Sequence, residues 1–237
     1  MIMIDREQAL KQAREMSTKR LEEKDVAITN AVYLINDLHE AINILSERLT
    51  IWYFKGQRKM NADPEILGKI SQLPEASEFN QMKKLAEQIQ SLMKFRDSLN
   101  GYIAATAKEI MPNTTFLVGE VLAAHLLSRA GSLEKLSKMP ASTIQVLGAE
   151  KSLFKHLRKG AKSPKHGVIF AHPSLNKSPR HVRGKIARVI AAKLSFAIRA
   201  DFTTKRFIAD KLKEDMDKKI QAIISSAPTK AAQTKGR

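Results

Sequence analysis

Basic side chains are concentrated in one part of the sequence. Residues 151–206 contain 15 lysines and arginines and a single acidic residue, Asp201, whereas residues 1–110 carry 16 basic and 16 acidic residues. Most of the formal net charge of +17 therefore lies in less than a quarter of the chain. Because this segment has almost no acidic residues to balance its basic ones, we expect it to bind a polyanion instead of forming an ordinary solvent-exposed surface.

The spacing of these cations predicts how they are presented. Lys151, Lys155 and Arg158 recur at the spacing of one helix face, where like charges repel one another unless an anion lies alongside. A stretch rich in glycine and proline then adds lysines from a loop, and the next helix adds a further set. The candidate RNA-binding residues are Lys151, Lys155, His156, Arg158, Lys159, Lys162, Lys165, His172, Lys177, Arg180, Arg183, Lys185 and Arg188.

RNA is the polyanion that the composition favours. The basic segment contains no zinc-finger, basic leucine-zipper or helix-turn-helix pattern, and it has few aromatic residues on which single-stranded bases could stack. Contact with the backbone of a folded RNA fits these features better. A general binder of structured RNA or of DNA, without a protein partner, is the alternative.

The residues needed for catalysis are missing from the same segment. The chain has no cysteine, and His166, His172 and His181 do not follow the spacing of metal ligands. The sequence GAEKS at 148–152 lacks the glycines of a phosphate-binding loop. Asp201 alone cannot supply a pair of carboxylates for acid–base chemistry. We therefore predict no enzymatic activity, cofactor or metal; a basic nuclease is the alternative from another class.

The elements that carry this charge are predicted to be helices. The content of 43% hydrophobic and 5% aromatic residues is typical of an all-α protein with a true core. Apolar residues recur in heptads over residues 28–52 and again over 85–110, and the segment between them contains Gly56, Pro64, Gly68 and Pro74. This pattern predicts a long antiparallel coiled-coil hairpin, preceded by an N-terminal helix, within residues 1–111. The predicted seam includes Ile35, Leu38, Ile42, Leu45, Leu49, Leu92 and Leu99, with Trp52 at its end.

A compact helical domain is predicted over residues 112–225. Pro112 cannot continue the preceding helix, Asn113 can cap the next one, and Gly131 can end it. The periodicity predicts helices over 115–129, 144–157, 180–200 and 205–224, with a loop and a short extended piece within 160–177. Residues 226–237 have no apolar pattern and are predicted to form a disordered basic tail.

No run of apolar residues is long enough to span a bilayer, and the first residues lack the apolar stretch of a signal peptide. We expect a soluble intracellular protein with no membrane partner.

Three stretches resemble the Nop domain. They are MPASTIQVLGAEKSLFKHL at 139–157, GKIARVIAAKLSFAIRAD at 184–201 and PNTTFLVGEVLAAHLL at 112–127. The heptad hairpin before Pro112 is similar to the coiled coil of the same family, so the resemblance covers nearly the whole chain. Nop-domain proteins are scaffolds of box C/D ribonucleoproteins, and the sequence is most similar to the archaeal members that pair with fibrillarin.

The resemblance implies a set of partners. The Nop domain of this family binds a composite surface made by a kink-turn guide RNA and the small ribosomal-type protein bound to it. Gln145, Gly148, Ala149 and Glu150 are implied to contact the protein partner, and Lys151 a phosphate. The coiled coil is implied to self-associate, and the 2′-O-methylation is implied to be carried out by fibrillarin. A cytoplasmic location is implied in an archaeon and a nucleolar one in a eukaryote.

The sequence departs from the family pattern at two places. Family members usually begin with a further domain that docks fibrillarin, and we expect this sequence to lack it, so direct fibrillarin binding is not expected. The segment between the two heptad helices is also short for the family, so the tip of the hairpin is expected to differ.

Overall fold

The computed structural model describes residues 10, 14–15, 23–54, 64–73 and 79–226. These residues form helices and contain no β-strand, which confirms the all-α prediction. They divide into two compact units. The hairpin unit comprises residues 31–103, and the basic unit combines residues 23–30 with 104–226.

Two long helices form the hairpin unit. Helix α1 spans Lys24–Tyr53, helix α2 spans Pro64–Ser71 and helix α3 spans Asn80–Ile110. At about 1.5 Å per residue, the 30 residues of α1 and the 31 of α3 make each roughly 45 Å long. Of the predicted seam residues, Ile35, Leu38, Ile42 and Leu49 are buried, and Leu45, Leu92 and Leu99 are half-buried.

The segment between the heptad helices contains an element that the sequence analysis did not predict. Helix α2 places Leu67 and Ile70, both fully buried, in one core with Ile42, Leu49 and residues of α3. Trp52, predicted at the end of the seam, remains 47% exposed, since α2 fills this part of the core instead. Gly56, Pro74, most of the predicted N-terminal helix and residues 227–237 of the predicted tail lie outside the described residues.

Short helices build the basic unit. They are α4 (Pro112–Val118), α5 (Glu120–Ala130), α6 (Leu133–Lys138), α7 (Ala141–Val146), α8 (Glu150–Lys159), α9 (Pro173–Asn176), α10 (Arg183–Arg199) and α11 (Ala209–Ser225). A 3₁₀ turn covers Val168–Ala171, and a π turn covers Ala200–Thr204. The described helices include none that is long and apolar enough to cross a membrane.

Several predicted boundaries in this unit were wrong. The helix predicted over 115–129 is split by Gly119, whose φ of 83° interrupts the α conformation, although Gly131 ends α5 as predicted. The helix predicted over 144–157 is likewise split at Gly148. The extended piece expected near residue 168 is a 3₁₀ turn, and the last helix begins at residue 209 instead of 205.

Helix α10 is the centre of the basic unit. Its buried face includes Ile186, Ile190, Leu194 and Ala197, and it packs against α4, α6, α7, α9 and α11. Because this face is fixed in the core, the polar positions between these residues must point outward. Lys185 and Arg188 are therefore exposed at the surface.

A buried carboxylate ties α4 to the end of α10. Asp201, in the π turn, accepts hydrogen bonds from the backbone N–H groups of Asn113 (2.9 Å) and Thr114 (2.9 Å). It also accepts from the Asn113 side-chain amide (2.8 Å) and the Thr114 hydroxyl (2.7 Å). Asn113 is not the helix cap that we predicted. Its side chain accepts from the Ile208 N–H at 2.6 Å and donates to the Arg206 carbonyl at 2.9 Å, so it joins the start of α4 to the segment before α11.

Candidate nucleic-acid interface

Helix α8 lies on the surface and buries none of its residues. Its predicted phosphate contacts Lys151, Lys155, Arg158 and Lys159 are all exposed. Two apolar side chains of the same helix are exposed as well, Phe154 to 60% and Leu157 to 70%. An amphipathic helix that covers no core of its own chain presents both charge and apolar surface to a partner.

Both ends of α8 are held by local contacts. At its start, the Glu150 carboxylate accepts a hydrogen bond from the Gly148 N–H at 2.6 Å, and an anion there also suits the helix dipole. At its end, Gly160 adopts the left-handed conformation, with φ of 65°, and its N–H donates to the His156 carbonyl at 3.0 Å. The His156 Nδ1 contacts the Ala161 carbonyl, so this predicted RNA contact is engaged within the chain.

Three hydrogen bonds fasten the loop after α8 to the corner between α7 and α8; we call them the clasp. The Gly167 N–H donates to the Gln145 carbonyl at 2.8 Å, and the Val168 N–H donates to the Leu147 carbonyl at 2.8 Å. The Gln145 side-chain amide donates to the Lys165 carbonyl at 2.7 Å. The clasp thereby fixes Lys165 and the loop relative to the predicted partner corner at Gln145, Gly148, Ala149 and Glu150.

Two glycines permit this close approach. A Cβ on Gly167 would lie 1.9 Å from the Leu147 carbonyl oxygen, which no side chain can tolerate without movement of the backbone. Gly148 has a φ of 87°, and a Cβ there would lie 2.6 Å from Val168 Cγ1. Glycine at both positions therefore allows the loop to pack directly on the corner.

Phe170 lies between a histidine and an arginine. The His166 ring stacks on Phe170 with 4.6 Å between ring centroids, and the Arg183 guanidinium carbon lies 5.2 Å from the Phe170 centroid. Burial lowers the pKa of His166, and the nearby Arg183 and Lys165 charges lower it further. Arg183 also donates to the carbonyls of Ser178 (2.8 Å) and Asn176 (3.0 Å). Two of the five Arg183 donors therefore hold the start of α10, and contact of this half-buried side chain with RNA stays a prediction.

His172 does not belong to the interface. Its side chain is only 5% exposed, and its Nδ1 accepts a hydrogen bond from the Ser174 N–H at the start of α9, at 3.3 Å. Burial lowers the pKa of His172, and the Lys213 charge on α11 adds to this effect. The neutral ring is a buried helix cap, so the prediction that His172 contacts RNA was wrong.

The remaining predicted cations are exposed side chains of the loop, of the segment before α10 and of the first turns of α10. None of them forms an ion pair with a carboxylate within the part of the chain that the structure describes, and the one carboxylate between residues 151 and 206 is buried. We call this set, together with the cations of α8, the basic surface. It consists of Lys151, Lys155, Arg158, Lys159, Lys162, Lys165, Lys177, Arg180, Lys185 and Arg188.

The described residues contain no group of three or more histidines, cysteines or carboxylates that could hold a metal ion. The sequence analysis did not predict the close packing of Gly167 against the Leu147 carbonyl, because the two residues are distant in the chain.

The fold and the basic surface define a class of protein: a helical protein with a long helical hairpin and a domain whose exposed cations form no ion pairs among the described residues. A family described as "Nop: snoRNA binding domain, fibrillarin" matches residues 55–222. This chain belongs to the Nop family.

Individual relatives agree with this assignment. An uncharacterized NOP5 family protein of Methanocaldococcus jannaschii is 38% identical over 245 residues, covering 87% of this chain and 59% of its own length. Nucleolar protein 58 of Debaryomyces hansenii is 34% identical over 215 residues, covering 75% of this chain and 42% of its own length. This chain thus spans less than two thirds of the length of either relative.

A solved structure has the same fold. The crystal structure of a fibrillarin/Nop5p complex contains a chain similar to this one, with a TM-score of 0.63 and 31% sequence identity. The match covers 92% of this chain and 77% of that chain.

Proposed function

We propose that this chain is a non-catalytic scaffold of a box C/D ribonucleoprotein, and that its basic surface binds the backbone of a kink-turn guide RNA. The observation that carries the proposal is the basic surface itself, whose cations form no ion pair with a carboxylate among the described residues. RNA phosphates supply that charge, and binding them releases condensed counterions. Membership of a family described as snoRNA-binding supports RNA as the polyanion.

A protein partner is part of this proposal. Phe154 and Leu157 are exposed beside cations on α8, and the corner at Gly148–Lys151 begins the same helix. Phosphates satisfy the lysines, but apolar side chains are better covered by another protein surface. We infer that a small ribosomal-type protein bound to the kink-turn contacts this corner, so that RNA and protein are bound together.

We infer the remaining roles from the resemblance to the family. Fibrillarin would methylate the RNA, and this chain would position the RNA for that reaction. The similarity to a chain of a fibrillarin/Nop5p complex supports the association of this chain with fibrillarin. The hairpin unit would pair two copies of the scaffold. The protein would act in the cytoplasm of an archaeon or in the nucleolus of a eukaryote, where the names of the fungal relatives place them.

The test is a gel-shift titration of the chain against a kink-turn RNA, with and without its small ribosomal-type binding protein, at about 0.15 M salt, where exposed charges are partly screened. We expect tight binding only when both partners are present, because each covers a different part of α8 and its corner. Equal binding with and without the small protein would identify a general polyanion binder. Metal-dependent cleavage of the RNA would instead identify the nuclease alternative.

Two single substitutions test the basic surface. Lys155→Ala and Arg158→Ala should each weaken RNA binding several-fold and reduce the steepness of its salt dependence, because each removes about one phosphate contact. The unfolding free energy should stay within about 0.5 kcal/mol of the wild type, since α8 buries no residue. Lys218→Ala, on α11 and outside the basic surface, is the matched control and should bind RNA as the wild type does. A variant of α8 that unfolds the domain would contradict the surface assignment.

A further inference from the structure

A recess in the basic unit lies between α7, the loop after α8 and the start of α10. Its volume is about 570 Å³, which is within the range of pockets that bind small organic ligands. Ser142 and Gln145 of α7 form one wall, and the loop from Ser163 to Lys165 forms a second. The amide bond of the clasp, from Gln145 to the Lys165 carbonyl, joins these two walls at 2.7 Å. One of the contacts that position Lys165 therefore also fixes these two walls relative to each other.

The third wall is cationic. Lys185 and Arg188 are three residues apart in the first turns of α10, so they lie on one side of this helix. His181 lines the same recess from the turn before α10, and Lys165 lines it from the loop. All four side chains are exposed, and in the described part of the chain none has a carboxylate at ion-pair distance. An anionic group is the natural occupant at this wall.

The rest of the lining is not what a bare phosphate needs. Val146 and Pro164 contribute apolar surface, and Ser142 and Ser163 contribute hydroxyl groups that both donate and accept hydrogen bonds. A base or ribose packs on apolar surface and exchanges hydrogen bonds with hydroxyls, while its phosphate meets the lysines and arginine. Cations, hydroxyls and apolar walls together match a complete nucleotide.

Gly184 opens the recess on the side of α10. A glycine inside a helix costs about 1 kcal/mol relative to alanine, yet this one lies in the first turn of the central helix. It lines the recess between His181 and Arg188, and a Cβ at this position would have only ordinary contacts, the nearest being Lys165 Cδ at 3.6 Å. Alanine is therefore tolerated there, whereas a long side chain would extend into the recess.

From this arrangement we propose that the recess binds one nucleotide of the RNA, with the base or ribose against Val146 and Pro164 and the phosphate at Lys185 and Arg188. The proposal rests on the proposed RNA-binding function and gives it a specific subsite. The recess would recognise one nucleotide of the RNA by its shape, whereas the cations of α8 would bind the RNA through charge.

Filling the recess without changing any charge tests this subsite. Gly184→Met should lower the affinity for the kink-turn RNA, measured by fluorescence anisotropy with the small ribosomal-type protein present, by about tenfold, the loss of one stacked or packed nucleotide. The salt dependence should be unchanged, because every cation remains. Gly184→Ala is the matched control and should bind as the wild type does. Ser163→Leu fills the recess from the exposed loop and should act like Gly184→Met, so a folding defect on α10 cannot decide the result.

The outcomes separate this inference from the proposed function. Wild-type affinity in both filled variants, with weaker binding in Lys155→Ala, would overturn the nucleotide subsite and leave the scaffold function intact. If the filled variants weaken binding of the small protein in the absence of RNA, the recess binds protein and the inference is also overturned. A tenfold loss confined to RNA binding, at constant salt dependence, supports it.

Discussion

Replacement of Asp201 by alanine is expected to destabilise the basic unit by roughly 3–5 kcal/mol, enough to unfold it partly at ordinary temperature. The carboxylate accepts four hydrogen bonds, from two backbone N–H groups, one amide and one hydroxyl, all belonging to Asn113 and Thr114. Both residues are fully buried, so no water can replace the lost acceptor. Urea denaturation followed by far-ultraviolet circular dichroism measures the effect.

Two further substitutions make this result specific. Asp210→Ala removes an exposed carboxylate from the first turn of α11 and should cost less than about 1 kcal/mol, the usual contribution of the helix dipole. Asp201→Asn keeps the size of the side chain but replaces one acceptor oxygen by a donor, so it should lie between these two variants. Equal stability of Asp201→Ala and the wild type would show that the buried network does not hold α4 against α10.

The two long helices of the fold could be predicted because their signal is local and repeated. Ile35, Ile42 and Leu49 recur every seven residues, and the structure buries all three. Trp52 continues the second heptad series, that of Leu38 and Leu45, but it is exposed, because Leu67 and Ile70 of α2 fill the core at that end. Those residues lie in a segment whose proline and glycine favour a turn, so only tertiary packing explains the difference.

The helix breaks in the basic unit were hidden for another reason. Apolar residues continue on both sides of Gly148, so the period alone predicts one helix over 144–157. The break depends on the positive φ of Gly148 and on the bond from the Val168 N–H to the Leu147 carbonyl. That bond joins residues 21 positions apart, and no local pattern reports it.

The candidate site was predictable where it depends on charge and not where it depends on burial. Lys155, Arg158 and Lys185 are exposed as predicted, since charged side chains are rarely buried without a partner. His172 was misassigned because a histidine in a basic loop has no sequence feature that distinguishes a buried cap from a phosphate contact. Asp201 was recognised as the one acidic residue of the segment, but its partners lie 87 and 88 positions earlier in the chain. Its burial removes the one negative charge from the basic surface.

Gly167→Ala is expected to disrupt the clasp, with a loss of roughly 2–4 kcal/mol of stability and a reduction of RNA affinity. The new Cβ would lie 1.9 Å from the Leu147 carbonyl oxygen and 2.7 Å from the carbonyl carbons of Leu147 and Val146. These are backbone atoms, so the substitution can be accommodated only if the loop moves away from the corner. That movement breaks the bonds from the Gly167 and Val168 N–H groups, both 2.8 Å long.

The loss of RNA affinity in Gly167→Ala should result from displacement of the loop lysines, because the substitution removes no charge. Lys162 and Lys165 are carried by the loop that the clasp fixes, and their displacement separates them from the cations of α8. Gly184→Ala places the same methyl group at ordinary contact distance in the same unit, so it controls for the loss of a glycine.

Hydrogen exchange of the Gly167 and Val168 amides, together with RNA titration, measures both effects. Protected amides and unchanged RNA affinity in Gly167→Ala would contradict this prediction, because they would show that the corner between α7 and α8 accommodates the methyl group without breaking the clasp. Faster exchange with a several-fold weaker affinity would instead identify backbone packing, and not charge alone, as what aligns the loop with α8.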